Sequence, residues 1–233
     1  QSQAGGGTVQ DALEAALSAI SGSPTAAVCA GRTDAGVHAS LQVVHFDTTA
    51  LRPLTAWVRG VKSHLPDGVA VLWAQPVEDE FHARFSARGR CYRYFLLNRP
   101  QRPGLWRGRA GWHHLPLDLE AMRQAAAVLP GEHDFSAFRA AECQAKSPVK
   151  TMTRAEVSRQ GEFFVFDFAA SAFLHHMVRN LVGSLVHVGK GAAPPAWLGD
   201  VLRQRERKLA APTFSPDGLY FRGPIYEPRW GLP

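Results

Sequence analysis

Gly89-Arg90-Cys91-Tyr92-Arg93-Tyr94-Phe95-Leu96-Leu97 is the stretch on which the fold class turns. Cys91, Arg93 and Phe95 alternate with Tyr92, Tyr94 and Leu96, and successive side chains of an extended strand point to opposite faces, so the stretch reads as a half-covered strand. On its N-terminal side, Thr8 to Ile20 reads as a helix, with Thr8 as N-cap, Val9, Leu13, Leu17 and Ile20 on one face, and Ser21-Gly22-Ser23-Pro24 as its stop. Strands are expected over Thr25 to Ala30, Leu41 to Phe46 and Val69 to Val77. Leu54, Trp57, Val58 and Val61 mark a second helix, ended by Pro66-Asp67-Gly68. On the C-terminal side, a Pro/Gly-rich connection from Asn98 to Gly111 leads to a helix near Leu117 to Leu129, then to strands at Thr151 to Ser158 and Phe163 to Ala170. A long helix from Phe173 to Val188, a shorter one from Pro195 and a strand near Gly218 to Tyr226 complete the order. Phe164, Phe166 and Phe168 share one strand face and read as core. Strands and helices alternate on both sides of a break near residue 105, which predicts an α+β fold of two subdomains, residues 1–105 and 106–233, sharing a central cleft.

The 233 residues are 45% apolar and 20% charged, with 21 glycines and 16 prolines, a balance that excludes a disordered or fibrous chain. Even the most apolar segment, Phe163 to Leu174, is interrupted by Asp167, far short of the ~18 apolar residues a membrane span requires. Cys29, Cys91 and Cys143 are few, scattered and odd in number, so a disulfide framework is not expected and a reducing, cytoplasmic setting is. Neither a Cys-x-x-Cys nor a His-Glu-x-x-His spacing occurs, and His113-His114 and His175-His176 are adjacent pairs, so no metal is expected.

The charge is local. Between Phe81 and Leu117 there is no Asp or Glu, while Arg84, Arg88, Arg90, Arg93, Arg99, Arg102, Arg107 and Arg109 all fall inside; these eight arginines exceed the whole net charge of +6. Phe81, Phe85, Tyr92, Tyr94, Phe95 and Trp106 are interleaved with them. Guanidinium forks bind phosphate in a bidentate way and aromatic rings stack on bases, so the block points to a nucleic-acid partner rather than to a merely solvated basic face.

Gly31-Arg32-Thr33-Asp34-Ala35-Gly36-Val37-His38-Ala39 places a carboxylate on a tight turn between two glycines, where a ligand can approach the backbone closely. The neighbouring Arg32 favours its ionised form, which suits a nucleophile or base. From spacing alone, an Asx-turn in which Asp34 bonds its own backbone is an equal reading. His38 is a minor general-base candidate. Arg179 reads by itself as a helix-surface arginine on a helix whose apolar stripe is Phe173, Met177, Leu181 and Leu185, and His175 and His176 read as either packed or RNA-facing, with packing favoured.

That turn, taken with Phe-His-Ala-Arg-Phe-Ser-Ala-Arg-Gly-Arg-Cys-Tyr-Arg-Tyr (Phe81 to Tyr94), Asp134-Phe135-Ser136-Ala137-Phe138-Arg139, His175-His176-Met177-Val178-Arg179-Asn180-Leu181-Val182-Gly183-Ser184-Leu185 and Gly218-Leu219-Tyr220, closely resembles the tRNA pseudouridine synthase A (TruA) family. The resemblance runs in order from about Thr8 to Tyr226. It implies the pseudouridine synthase fold, two α+β subdomains joined in one mixed, largely antiparallel sheet with the cleft between them. It also implies a homodimer that converts uridine to pseudouridine at positions 38, 39 and 40 in the anticodon arm of tRNA, with no metal or organic cofactor and no protein partner beyond the second copy. By the same resemblance Asp34 is catalytic, Arg32 assists base flipping, Tyr92 stacks on the target uracil, Arg179 pairs with the catalytic carboxylate and Leu219 lines the uracil pocket. RNA contacts map onto Phe81, His82, Ala83, Arg84 and Phe85 and onto Glu142, Cys143, Gln144, Ala145 and Lys146, and the basic block adds Arg88 and Arg90. The sequence departs from the family in three places. It begins at about the Gln of a Gly-Trp-Gln that ordinarily follows an initial strand bearing Tyr-Asp-Gly; Cys91 stands where a basic residue is usual; and Phe221 replaces an aliphatic.

The implied chemistry breaks the C1′–N1 bond, turns the retained uracil and joins C5 to C1′. One ionised Asp can serve by attacking C6, or by attacking or deprotonating the sugar, and the sequence leaves these routes open. A second carboxylate of the glycosidase kind is not needed, because no water is activated. Extruding a stacked uridine costs a few kcal/mol, which Arg32 and the Tyr92 ring can offset. The rival class is a non-catalytic RNA-binding module of the RRM kind, though its aromatic signature is not in register around Gly161 to Phe168. A weaker rival, a nucleoside hydrolase, would release free uracil.

Overall fold

Thr8 opens the first helix with a closed capping box: its backbone N–H donates to Asp11 Oδ2 at 2.9 Å, and its Oγ1 accepts the Asp11 N–H at 3.2 Å. The computed structural model describes residues 1–233. The helix, α1, spans Val9–Ser21 and stops at Gly22, whose left-handed backbone (φ +80°) lets its N–H reach Ser18 O. Ala16, Leu17, Ala27, Trp57 and Val61 form a small core, with Leu13 and Ile20 packed against it, while Val9, expected on the buried face, is 61% exposed. The second helix contains a wide turn over Ala56–Gly60, continued by α2 (Val61–Ser63).

The strands of this region are far shorter than the apolar runs suggest. β1 (Val28–Cys29) pairs antiparallel with β3 (Val44–His45), two residues each. β2 (His38–Ala39) lies between them in sequence but belongs to a different sheet. The strand expected over Val69 to Val77 does not form. Val71 and Ala74 pack against the α1 core while Leu72 faces solvent, so the segment's apolar side chains are partly covered without strand pairing. A strand also needs a neighbour for its N–H and C=O groups, and an apolar run carries no information about one.

The larger sheet is built from β4 (Gly89–Asn98), β5 (Gly111–His113), β6 (Gly131–Asp134), β7 (Val149–Gln160), β8 (Phe163–Ala170) and β9 (Leu219–Ile225), together with β2. Its order is β2-β9-β4-β8-β7-β6, with β5 beside β4. Only the β2–β9 and β4–β5 pairs are parallel, so the sheet is mixed and largely antiparallel and the class is α+β. Tyr94 and Leu96 of β4 and Phe164, Phe166 and Phe168 of β8 are buried. They share a core with Met122 and Ala125 of α3 (Leu119–Ala126), Leu181 and Leu185 of α4 (Met177–Gly189) and Leu198 and Val201 of α5 (Trp197–Gln204). No helix is long and apolar enough to cross a membrane.

Two compact units result. One comprises Gln1–Arg32, Gln42–Ala87 and Tyr226–Pro233; the other comprises Thr33–Leu41 and Arg88–Ile225. These boundaries differ from a division at residue 105, which would separate β4 from its neighbour β5. All seven strands of the large sheet belong to the second unit, because pairing follows hydrogen bonds rather than chain order.

Within the second unit α4 lies against the chain at Pro212, and Gly183 is the point of approach: a Cβ there would sit 2.2 Å from the Pro212 carbonyl oxygen. Helix propensity alone would favour Ala over Gly by about 1 kcal/mol. Gly183→Ala is nonetheless expected to destabilise by about 1–3 kcal/mol through overpacking, and the sign of the change in urea unfolding separates the two effects.

Burial is the main cause that lowers the pKa of His45, His113 and His187 below the ordinary 6.5, with His82 adding to it at His45, His114 and Lys190 at His113, and Lys190 at His187. His45 Nδ1 also accepts the Ala83 N–H at 3.1 Å, a bond that protonation removes. Below the ordinary value the unfolded chain therefore binds more protons than the folded one, so these groups favour folding above it and lose that effect as pH falls. The thermal midpoint is expected to decline steadily from about pH 7.5 to about pH 5.5.

Candidate active site

The turn carrying Asp34 is closed by a hydrogen bond from Val37 N–H to Asp34 O at 3.1 Å, with Gly36 in the left-handed region at φ +79°. A side chain at Gly36 would also crowd Pro216, 3.1 Å from the position of its Cβ. The turn thus packs closely on the segment leading into β9. The Asp34 carboxylate stands 28% exposed, and its Oδ2 accepts from Arg179 Nη1 at 3.0 Å.

Arg179 comes from the first turn of α4 and is held at its other nitrogen: Nε donates to Phe214 O at 2.9 Å, while Phe214 N–H donates to Arg179 O at 3.2 Å. Only 15% of its side chain is exposed, so the guanidinium has one orientation available in which both acceptors are met. The next residue, Asn180, has no exposed surface. Its Nδ2 donates to Phe138 O at 2.8 Å, and its Oδ1 accepts from Thr213 Oγ1 at 2.6 Å and from Arg207 Nη2 at 3.1 Å. α4 and the 213–214 segment are therefore tied by a satisfied polar network directly beside the ion pair.

His175 and His176 do not pack into the core. His175 Nε2 lies 3.3 Å from Asp34 Oδ1 and His176 Nε2 lies 3.2 Å from Oδ2, with the rings 4.0 Å apart. The helix expected from Phe173 begins only at Met177, because His176 adopts the left-handed conformation (φ +60°) as its N-cap and turns the two imidazoles back toward the carboxylate. Burial holds the His176 pKa below the ordinary value; His175 and Arg179 add to this, against the opposing pull of Asp34 and Glu142. A carboxylate with two imidazoles could in principle ligate a cation. Here Arg179 already occupies the oxygen that His176 approaches, and a divalent ion there would face a fixed guanidinium charge.

Tyr92 is half-buried on β4, edge-to-face with Phe173 and tilted against Phe221, each at 5.0 Å. Leu219 is 5% exposed and stands opposite Tyr94 in the β4–β9 register. Asp34, Tyr92, Arg179 and Leu219 thus fall in one unit, whereas Arg32 is an exposed residue of the other. His38 is engaged structurally: its Nε2 lies 2.9 Å from Gly108 O and its ring stacks on Tyr220 at 4.6 Å.

The proposed RNA stretches divide by burial. Phe81 and Ala83 are buried with Ala30, Val43 and Trp230, so their side chains serve the core of the first unit. His82, Arg84 and Phe85 remain accessible, with His82 stacked on Phe85 at 4.2 Å and the Arg84 guanidinium 5.7 Å from the Phe85 ring. Arg88 is exposed, and Arg90 Nη1 donates to Ser171 O. In the other stretch Cys143 is buried, its Sγ accepting the His175 N–H at 3.4 Å, while Glu142, Gln144 and Lys146 are exposed and Ala145 is half-buried. Arg139 Nη2 fixes this loop by donating to Cys143 O and Ala145 O. Two arginines of the basic block are neutralised from outside it. Arg93 makes a bidentate pair with Asp167 at 2.7 and 3.0 Å, and Arg99 lies 3.3 Å from Glu162.

The model of a family described as tRNA pseudouridine synthase matches residues 1–86 and 125–227. The chain belongs to this family. It is 74% identical over 233 residues to the tRNA pseudouridine synthase A of Dechloromonas aromatica (strain RCB), covering 100% of this chain and 89% of that protein. Identity is 62% over 233 residues to the protein of the same name from Aromatoleum aromaticum, covering 100% of this chain and 88% of that one. The one from Thiobacillus denitrificans is 61% identical over 233 residues, covering 100% and 90%. Asp34, Arg179 and Leu219 lie inside the residues matched by the family model; Tyr92 lies between its two matched parts.

Asn180, Phe214 and the two histidines were not legible as site residues, although an Asn inside an apolar helix is a signal that its amide must find buried partners. Asn180→Ala removes three hydrogen bonds beside the ion pair and is expected to destabilise the protein by about 2–3 kcal/mol, measured by urea unfolding.

Proposed function

We propose that this protein isomerises uridine to pseudouridine in the anticodon arm of tRNA, at positions 38, 39 and 40, with Asp34 as its catalytic carboxylate. The observation that carries the proposal is the Asp34–Arg179 pair: a partly exposed carboxylate on a tight turn, with one oxygen held at 3.0 Å by a guanidinium that is itself fixed by Phe214. The reaction needs a carboxylate aimed at the substrate, whether it adds to uracil C6 or acts at the sugar, and the guanidinium fixes one of its oxygens. No oxidant or water enters the balance. The C1′–N1 bond breaks, the C5–C1′ bond forms, and one proton leaves C5 while one is taken up at N1.

Tyr92 stacks on the extruded uracil, Leu219 lines its pocket and Arg32 assists extrusion. The accessible His82, Arg84 and Phe85 combine a cation with stacked rings, which suits single-stranded RNA, and Arg88, Arg90, Gln144 and Lys146 supply polar and phosphate contacts. The working form is a cytoplasmic homodimer, the state that the family resemblance implies. Family membership favours this reading over an RNA-binding module of the RRM kind, which has no use for a guanidinium-held carboxylate.

The test is to incubate the protein with tRNA and map pseudouridine by chemical modification and primer extension. Asp34→Asn is expected to abolish product while tRNA affinity stays within a few-fold of the parent. Undiminished product from Asp34→Asn would remove that residue from its role. Release of free uracil would favour a hydrolase, and binding without isomerisation by the parent protein would favour the RNA-binding module.

A further inference from the structure

Three side-chain nitrogens converge on the Asp34 carboxylate: Arg179 Nη1 donates to Oδ2 at 3.0 Å, and His175 Nε2 and His176 Nε2 approach Oδ1 and Oδ2 at 3.3 and 3.2 Å. From this convergence we infer that His175 and His176 are positioning residues for the isomerisation, one imidazole steering each oxygen of Asp34; the inference rests on the catalytic role proposed above for that aspartate.

The backbone around the pair is fixed independently of Asp34. His175 N–H donates to Cys143 Sγ at 3.4 Å and His175 O accepts the Ala140 N–H at 3.0 Å, so the 140–143 loop holds this residue from both sides. His176 then takes a left-handed conformation that a non-glycine residue adopts at a cost. A purely structural N-cap here would be served better by glycine or asparagine, and the His176 ring makes no capping hydrogen bond to the helix. The strained backbone delivers an imidazole to Asp34 Oδ2 instead.

The charges facing His176 are those of Asp34, His175, Arg179 and Glu142. Burial, with His175 and Arg179, disfavours the charged form of His176, so its Nε2 edge stands beside Oδ2 without a second full positive charge on the oxygen that Arg179 already neutralises. The carboxylate is thereby oriented at both oxygens yet remains a competent nucleophile or base. Protonating His176 at lower pH would add that second charge and weaken the carboxylate's reactivity.

The experiment compares His176→Gly, His176→Asn and the parent protein for kcat, KM for tRNA, thermal midpoint and the pH dependence of kcat. His176→Gly relieves the backbone and removes the imidazole beside Oδ2. It is expected to lower kcat about 10- to 100-fold, the scale of losing a polar group that orients a reacting carboxylate, with KM within about two-fold and a thermal midpoint equal to or above that of the parent. His176→Asn tolerates the left-handed backbone and keeps an N–H group, so it is expected to recover part of kcat and to lose the decline in kcat toward acid pH that is expected of the parent. Three results would overturn the inference: kcat within two-fold of the parent in His176→Gly, a loss of kcat that follows a loss of thermal stability, or an unchanged pH profile in His176→Asn. Activity lost on dialysis against a chelator and restored by zinc would also overturn it, by making the imidazoles ligands. Failure of the functional reading is a separate outcome, because it would appear as no pseudouridine from the parent protein at all.

Discussion

Arg179 is gripped at both ends, with Nε on the Phe214 carbonyl and Nη1 on Asp34 Oδ2. A guanidinium is always charged and its donors lie in a rigid plane, so fixing one nitrogen fixes where the others point. The segment leading into β9 therefore does two things in this structure. Phe214 aims the cation from one side, and Pro216 abuts the Asp34 turn at Gly36 from the other. Carboxylate and cation meet because the same short stretch of chain touches both.

The rest of the second unit supports that arrangement. α4 enters the core with Met177, Leu181 and Leu185 fully buried, which anchors the helix whose first turn bears Arg179. Gly183 lets the helix approach Pro212 closely, and Asn180 joins it to Thr213, Arg207 and Phe138. Apolar burial supplies most of the attachment, and the hydrogen-bonded amide gives it a single register, since an unsatisfied buried amide would oppose any shift. The cluster is more enclosed at Arg179 and more open at Asp34.

Much of the fold was legible in the residues. β4 was readable from its alternation and β8 from its phenylalanine face, and α1 from Thr8 and Gly22, because each signal is local: a period of two, a side-chain cap, a glycine stop. The failures share one cause. Val69 to Val77 is an apolar run that does not form a strand, and β1 and β3 shrink to two residues, because a ladder depends on a partner that the segment does not encode. The basic block was overestimated for the same reason. Asp167 and Glu162, absent from its sequence, are brought beside Arg93 and Arg99 by the pairing of β4 with β8 and the turn that precedes β8. Phe81, Ala83 and Cys143 look like parts of contact loops in sequence and are buried in the structure.

The sequence by itself determined the α+β class and the family, and it named the residue types of the candidate site, since these depend on periodicity and on motifs that survive as strings. Only the tertiary structure decided which of those residues meet. It set the 3.0 Å contact between positions 145 residues apart, moved His175 and His176 from the core to the carboxylate through one left-handed backbone, and assigned the seven-stranded sheet to a unit made of discontinuous segments. The physical reason is that local conformation is governed by each residue's own sterics and polarity. Long-range contacts are governed instead by which buried surfaces and hydrogen-bonding groups can be satisfied together, a condition set by the whole chain.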